Sequence, residues 1–358
     1  MKIIDWYIFK KFMLTFSFCL GLILMIAIVF DFTEQISGFY DSKPDWEDVI
    51  FVYYKNFALK YGLLMSSFFT FISVIIFTSG MAGRTEIVPI FTAGVSFWRF
   101  LKPYFIGSGI ITVISLICLQ WYLPHASSDS YAFEVEHVYN RSASTYEKIH
   151  TQVDKNTSVY FGSYNTKSKR GNQFTLEQFD GLKLKSKLMA DVVSYQADSA
   201  RWQVQQWHER QFVDGKERLT KGKSKSIDLK LLPEHVVSLV KQAHLLDFQQ
   251  ITEKIELDRK RGSDSVQFYE VELHQRNAAA FSNIILTIIA VSLASKKTRG
   301  GLGINLSIGL ALVMFYLLIN KFGVTFAQYS DLNPVIAAWL PNIFYGVVAI
   351  ILFRKAQK

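Results

Sequence analysis

The chain has 358 residues, of which 50% are hydrophobic and 19% are charged, and its formal net charge is +9. Its mean hydropathy is +0.18. The charges are segregated along the chain, and this segregation excludes a wholly soluble protein. Both cysteines, Cys19 and Cys118, lie inside apolar stretches, so the sequence offers neither a disulfide framework nor a cysteine metal cluster.

Six stretches contain no Asp, Glu, Lys or Arg, and each is about as long as the roughly 20 residues that a helix needs to cross a bilayer. These stretches are Phe12–Phe30, Tyr61–Gly83, Tyr104–Pro124, Asn277–Ser295, Gly300–Asn320 and Leu332–Phe353. Unpaired backbone amides are costly in lipid, so the stretches should be helical. Buried helices of a large soluble core are the alternative, but six such stretches in one chain are far more than a soluble core needs. The sequence therefore predicts transmembrane spans 1 to 6.

The first apolar stretch follows basic residues, as the hydrophobic region of a signal peptide would. However, it is too long for a signal peptide, and the acidic segment Asp31–Glu34 stands where a small-residue cleavage site would be needed. We therefore interpret span 1 as an uncleaved signal anchor.

Lysine and arginine predict the orientation, because they are retained on the cytoplasmic side of short loops. With the N-terminus inside, the cytoplasmic segments contain Lys2, Lys10, Lys11, Arg84, Arg99, Lys102, Lys296, Lys297, Arg299, Arg354, Lys355 and Lys358. The short outer segments carry more acids than bases. We expect both termini in the cytoplasm and the central region in the periplasm. The basic excess then reflects topology and the anionic inner leaflet, not a nucleic-acid partner.

The region between spans 3 and 4 is rich in β-prone residues separated by turn signals at Asn172, Asp180-Gly181 and Asp214-Gly215. The predicted strands are Ser158–Asn165, Gln173–Phe179, Leu182–Gln196, Arg201–Val213 and Ser224–Leu231. Several short strands of this kind favour a β-sandwich or jelly roll. The predicted fold is an α+β membrane protein: spans 1–3 in residues 1–124, an inserted periplasmic β-jelly-roll domain in 125–275, and spans 4–6 in 276–358.

Motifs that would indicate catalysis are missing from the sequence. It has no Gly-rich phosphate loop with Lys-Ser/Thr, no Gly-x-Ser-x-Gly elbow and no histidine pair at metal-ligand spacing. The six spans also contain no ionisable Asp, Glu, Lys, Arg or His, so an intramembrane proton relay is not expected. We predict a protein that is not an enzyme, with no metal site and no cofactor bound by this chain.

The loop between spans 2 and 3 reads as one short helix over about residues 84–94. Thr85 is a candidate N-cap, Glu86 would lie in the first turn, and Gly94 would end the helix. A cytosolic partner could push on such a helix. An ordinary linker with solvated charges explains the same residues equally well.

Two further patterns could carry function. Gly303, Ser307 and Ala311 form a small-residue stripe in span 5 that permits close helix approach, although the positive-inside signal and helix packing explain most of this segment. The alternating lysines in 183–187 and 221–225 could contact an anionic ligand, through Lys183, Lys185 and Lys187 in the first run. Protection of an edge strand is the favoured explanation of both runs.

Five local motifs, in order within this topology, resemble the lipopolysaccharide-export permease family of the LptF/LptG type. The motifs are Asp31-Phe32-Thr33-Glu34-Gln35-Ile36, Arg84-x-Glu86 with Gly94, Met189-Ala190-Asp191 followed by Trp202, Glu272-Leu273-His274-x-Arg276, and Arg299-Gly300-Gly301-x-Gly303. The resemblance covers the whole chain. Some family members carry Lys near the outer end of span 1 for the lipid's phosphates, whereas Asp31 stands near that place here.

This resemblance implies the transmembrane subunit of an ABC exporter that moves lipopolysaccharide from the inner membrane to a periplasmic bridge. Its implied partners are a second LptF/LptG-like permease, an LptB-like cytosolic ATPase dimer that uses ATP-Mg, LptC/LptA-like periplasmic jelly-roll proteins and membrane lipids. Arg84, Glu86 and Gly94 would couple to the ATPase. A lateral gate or cavity would involve Phe30, Phe32, Gly303, Ser307 and Ala311. The alternative function is a non-transporting mechanotransmission or signalling membrane protein with a periplasmic β domain.

Overall fold

The computed structural model describes residues 3–134, 137, 145–154, 156–165, 168–181, 183–196, 201–213, 216–229, 231, 233, 236, 243–261, 266–297, 301–329 and 332–356. The chain divides into two compact units. A helical unit comprises Met1–Ser37, Asp45–Ser130 and Gln267–Lys358, and a mainly β unit comprises Gly38–Pro44 and Tyr131–Val266.

Eleven α-helices are found in the described part of the chain. They are α1 Ile3–Ser42, α2 Trp46–Asp48, α3 Lys55–Leu64, α4 Ser66–Gly83, α5 Ile87–Thr92, α6 Phe97–Ile117, α7 Leu123–Phe133, α8 Phe248–Arg261, α9 Val266–Ala294, α10 Gly301–Tyr329 and α11 Pro334–Ala356. π-Helical turns, Val49–Tyr54 and Cys118–Tyr122, join α2 to α3 and α6 to α7. A 3₁₀ turn covers Ala243–Leu245.

Six helical segments among the described residues are long and apolar enough to cross a membrane: Ile3–Ser42, Ser66–Gly83, Phe97–Phe133, Val266–Ala294, Gly301–Ala327 and Pro334–Ala356. Three precede the β unit's strands and three follow them. The predicted α+β membrane protein, with six spans and a central β insertion, is confirmed.

The helix ends differ from the predicted ends around the insertion. The helical segment of span 3 continues through Pro124 to Phe133, and α9 begins at Val266, before the predicted Asn277. Pro124 lies two residues after the π-helical turn Cys118–Tyr122, where the regular i→i−4 bonding is already interrupted and a missing backbone N–H is accommodated. The charge-free stretches therefore locate the apolar part of each helix, and polar helical turns extend beyond it.

Buried polar side chains connect helices within the apolar core of the helical unit. Thr70 Oγ1 of α4 donates to Asn283 Oδ1 of α9 at 3.0 Å, and Asn305 Nδ2 of α10 donates to Ser79 Oγ of α4 at 2.9 Å. Asn342 Nδ2 of α11 donates to the backbone oxygen of Ala278 at 2.7 Å. Lipid tails are as apolar as the side chains around them, so such bonds and close packing determine which helices associate.

The β unit contains six described strands: β1 Thr145–Asp154, β2 Thr157–Asn165, β3 Arg170–Asp180, β4 Lys183–Gln196, β5 Arg201–Val213 and β6 Lys216–Ile227. Each strand pairs antiparallel with its neighbour in sequence, in the order β1-β2-β3-β4-β5-β6. The described sheet is thus a meander and has none of the crossovers of a jelly roll. The sequence patterns missed β1 and placed β6 too late, and the predicted turn at Asp214-Gly215 lies outside the described residues.

One face of the sheet carries the core of the β unit. Phe161, Phe174 and Trp202 are buried there, with Tyr164 and Val204. Trp202 Nε1 donates to the backbone oxygen of Leu231 at 2.7 Å, which fixes the segment after β6 to this face. A buried indole that finds an acceptor contributes both apolar area and orientation.

Candidate functional site

The candidate coupling segment, residues 84–94, contains two successive helix C-caps of the same type. After α4, Thr85 N donates to Ala82 O at 3.1 Å and Glu86 N to Met81 O at 2.9 Å. After α5, Gly94 N donates to Phe91 O at 3.0 Å and Val95 N to Ile90 O at 3.3 Å. These paired bonds define Schellman motifs.

Both motifs have a left-handed residue at the position after the cap. Gly94 has φ of 79°, and Thr85 has φ of 60°. The prediction that Gly94 ends the short helix is confirmed. The prediction that Thr85 is its N-cap is wrong, because α5 begins at Ile87 and Glu86 holds the N-cap position without a side-chain cap. Thr85 instead completes the preceding helix.

Helix α5 is anchored by one side and exposed on the other. Ile87 is 2% exposed and belongs to the main core of the helical unit, and the Phe91 ring lies 5.4 Å from that of Phe100 between centroids. Pro89 is the third residue of α5, where proline is tolerated. The exposed residues of the segment are Arg84, Thr85, Val88, Pro89, Thr92, Ala93 and Gly94.

Arg84 and Glu86 pair with each other on this exposed side. Arg84 Nε donates to Glu86 Oε1 at 2.5 Å. This hydrogen bond, with the carboxylate charge, raises the pKa of Arg84 above its usual value, and Tyr7 contributes in the same direction. Because the pair spans the left-handed Thr85, it links the end of α4 to the start of α5.

A second ion pair at this end of the helical unit was missed by the sequence patterns. Arg99 Nη2 of α6 donates to Asp5 Oδ2 of α1 at 2.6 Å, and the Asp5 side chain is buried. Nearby, Phe12 is buried against α6, where Gly107 leaves room for its ring. The available sequence signal was Asp5, a single acid in the otherwise basic segment before span 1. Its partner Arg99 is 94 residues away in the sequence, so this signal did not identify the pair.

The predicted gate residues lie on the two least buried spans. Within the most apolar stretch of each helix, only 6% of residues are buried in α1 and 22% in α10. Phe30 is 73% exposed, whereas Phe32 is half-buried and its ring lies 6.5 Å from that of Trp46. The structure does not bring Phe30 and the α10 stripe together within this chain.

The predicted small-residue stripe of α10 faces away from this chain. Gly303, Ser307 and Ala311 are exposed, and the close approach is made instead by Gly309, whose missing side chain makes room for Ile75 of α4. The stripe therefore packs against no helix of this chain, and its approach to a helix of a second permease stays a prediction. Arg299 and Gly300, which precede the stripe, lie outside the described residues.

The Asp31 side chain of α1 is held by a tyrosine. Tyr53 donates to Asp31 Oδ2 at 2.9 Å. Asp31, which stands near the place where some family members carry Lys, is thus engaged within the chain.

The two lysine runs occupy different strands. Lys221, Lys223 and Lys225 lie on β6, at the edge of the described sheet, as edge protection requires. The run in 183–187 lies on the central strand β4, so edge protection does not explain it. Lys187 Nζ contacts Glu177 Oε1 at 2.7 Å, while Lys183 and Lys185 are exposed.

Edge strand β6 also carries a paired cation on the core side of the sheet. Lys225 Nζ lies 2.7 Å from Glu209 Oε2 and 4.9 Å from the Trp207 ring centroid. Partial burial raises the pKa of Glu209, but hydrogen bonds from Lys225 and Gln211 outweigh it, and the net pKa is lowered.

The chain matches the family described as lipopolysaccharide export system permease LptF/LptG over residues 6–355. No curated protein matched. The family match includes all six candidate spans almost entirely, the segment 84–94 and the β unit between them. The chain therefore belongs to the LptF/LptG family of lipopolysaccharide export permeases, as a multi-pass membrane protein.

Proposed function

We propose that this chain is the transmembrane permease subunit of an ABC exporter that extracts lipopolysaccharide from the inner membrane and passes it to a periplasmic bridge. It would pair with a second LptF/LptG-like permease and an LptB-like ATPase dimer that hydrolyses ATP-Mg. LptC/LptA-like proteins would continue the path beyond the membrane. Both termini would be cytoplasmic and the β unit periplasmic.

The observation that carries this proposal is the exposure of α1 and α10. Helices α4 and α9 are mostly buried within this chain, whereas α1 and α10 leave long apolar faces uncovered, with Phe30 on one and the Gly303 stripe on the other. Small residues permit a second helix to approach closely. A second permease contributing the same two helices would complete a cavity with lateral gates.

An apolar cavity of this kind suits lipid acyl chains. Burial of apolar surface is non-directional, so a bulky lipid can slide along the wall without breaking specific bonds. Helix α1 is anchored at its basic end by Ile8, Phe12 and the Asp5–Arg99 pair and is largely exposed between there and Asp31. Such a helix could move against its partner while its end stays fixed.

Segment 84–94 would transmit the ATP-driven conformational change of the ATPase to the helices of the permease. Its buried side contacts the core of the helical unit through Ile87, and its exposed side offers the Arg84–Glu86 pair and a short apolar face at Val88. A force applied to the exposed face would reach α4 and α6 directly.

The test is co-purification of the permease complex from membranes. Arg84→Ala and Glu86→Ala should each reduce the recovered ATPase, because removal of one partner frees the loop and removes a charge from the docking face. Lys10→Ala, also at the basic end, is the matched control. Unchanged ATPase recovery together with unchanged lipopolysaccharide export in both loop variants would refute the coupling role.

A non-transporting mechanotransmission protein is the second candidate. Such proteins usually have one span before the periplasmic domain and three after it, whereas this chain has three on each side. ATP turnover that responds to added lipopolysaccharide would favour the exporter.

A further inference from the structure

An apolar groove of about 540 Å³ lies on the helical unit between α6, α9 and α11. Its walls include Phe105, Ile288, Gly346 and Ile350, and Trp98 and Arg354 lie at one end. The volume is within the range of about 300–1,000 Å³ that is typical of small-ligand sites. Neither α1 nor α10 contributes to it, so the groove is separate from the proposed export cavity.

Gly346 faces open space on the α11 side of the groove. A Cβ atom added there would meet no atom within 4 Å, so a larger side chain at this position would occupy the groove. The half-buried Ile288 and the exposed Ile350 leave a long apolar surface on either side. An unfilled groove in a bilayer forfeits dispersion contacts, and a flexible hydrocarbon chain restores them.

The polar end of the groove has the chemistry of an anion site. Arg354 lies in the last turn of α11 and is exposed, and no carboxylate among the described residues pairs with it. Lys296 Nζ donates to the backbone oxygen of Lys355 at 2.8 Å, which adds a further cation to this end. Trp98, 55% exposed, suits the headgroup level of the membrane, where tryptophan is enriched.

We propose that this groove binds a glycerophospholipid with an anionic headgroup. One acyl chain lies along Phe105, Ile288 and Gly346, and the phosphate contacts the Arg354 guanidinium beside the Trp98 ring. Arginine matches phosphate oxygens with a planar fork of donors. The bound lipid fills the space between α6, α9 and α11, and it is a structural ligand rather than the exported one.

The experiment is native mass spectrometry of the full chain in detergent, titrated with phosphatidylglycerol and, separately, phosphatidylcholine. The wild type should retain one phosphatidylglycerol in preference to phosphatidylcholine. Gly346→Leu, which places a side chain in the groove at a position where an added Cβ meets no atom, should weaken retention about tenfold. Arg354→Gln should reduce the preference for phosphatidylglycerol about fivefold.

Matched controls separate the groove from general effects. Gly109→Leu, on α6 and also with open space around its Cβ, and Lys355→Gln, adjacent to Arg354, should both retain the lipid. Ile350→Trp fills the groove from its exposed side and replaces Gly346→Leu if that variant does not elute as a single species. Equal phosphatidylglycerol retention in the wild type and the groove-filling variant overturns the proposal. Displacement of the phospholipid by added lipopolysaccharide also overturns it, because the groove would then belong to the export path.

Discussion

At the residue scale, Thr85 and Gly94 occupy equivalent positions in two successive Schellman motifs but differ in conformational cost. Glycine adopts a left-handed backbone readily, whereas for an ordinary L-residue it costs roughly 1–2 kcal/mol. Thr85 is β-branched and has φ of 60°, so the α4–α5 connection contains backbone strain. The α5–α6 connection avoids this strain because its left-handed residue is Gly94. The Arg84–Glu86 pair crosses this strained position.

We expect Thr85→Gly to stabilise the closed form of the loop and Gly94→Val to destabilise it, each by about 1 kcal/mol. Limited proteolysis in detergent is the measurement, because cleavage of a locally opened loop follows its opening free energy. Cleavage within 84–95 should become several-fold slower in the first variant and several-fold faster in the second. Equal rates in both variants and the wild type would contradict the assigned caps.

At the element scale, α10 presents two glycine-containing faces with different surroundings. Gly309 is buried against α4, where an added Cβ would lie 2.2 Å from Ile75 Cδ1 and 3.1 Å from Phe71 Cε1. Gly303 is exposed and has no atom within 4 Å of such a Cβ. One face therefore packs this chain's own helices, and the other is available to the proposed second permease.

Leucine at the two positions should separate these roles. Gly309→Leu overpacks the α4–α10 contact and should lower stability by about 1–3 kcal/mol, measured as an earlier loss of monodisperse protein on heating in detergent. Gly303→Leu should leave that stability unchanged but reduce co-purification of the second permease. If Gly303→Leu lowered stability as much as Gly309→Leu, the assignment of the two faces would be incorrect.

At the scale of the whole molecule, the proposed orientation follows from the basic residues near one set of span ends. Lysine and arginine in short loops are retained in the cytoplasm, and the proposed ATPase contact requires residues 84–94 to be there. The same orientation requires the lysine run of β4 to be periplasmic. Because Lys183 and Lys185 are exposed, contact with an anionic ligand at that strand stays a prediction.

Cysteine labelling tests the orientation directly. In a chain carrying Cys19→Ala and Cys118→Ala, Lys185→Cys should react with a membrane-impermeant maleimide on intact spheroplasts. Ala93→Cys, equally exposed, should react only after the membrane is permeabilised. The reverse pattern would invert the topology and remove the basis of the exporter proposal.

The sequence alone determined the number of spans, their three-plus-three arrangement, the inserted β region and the position of Gly94 at the end of α5, because these depend on local properties. A run without charges is either long enough to cross a bilayer or it is not, and a left-handed cap favours glycine wherever it occurs. The family motifs are likewise short and local.

Only the tertiary structure decided which face of each span is buried. Lipid and protein interior are equally apolar, so helical periodicity in the spans does not separate the two. For this reason the sequence pointed to the stripe that begins at Gly303, and only the structure showed that Gly309 is the glycine that packs against α4. It also could not pair Asp5 with Arg99, or place Thr85 in a left-handed cap, because those outcomes depend on residues brought together by the fold.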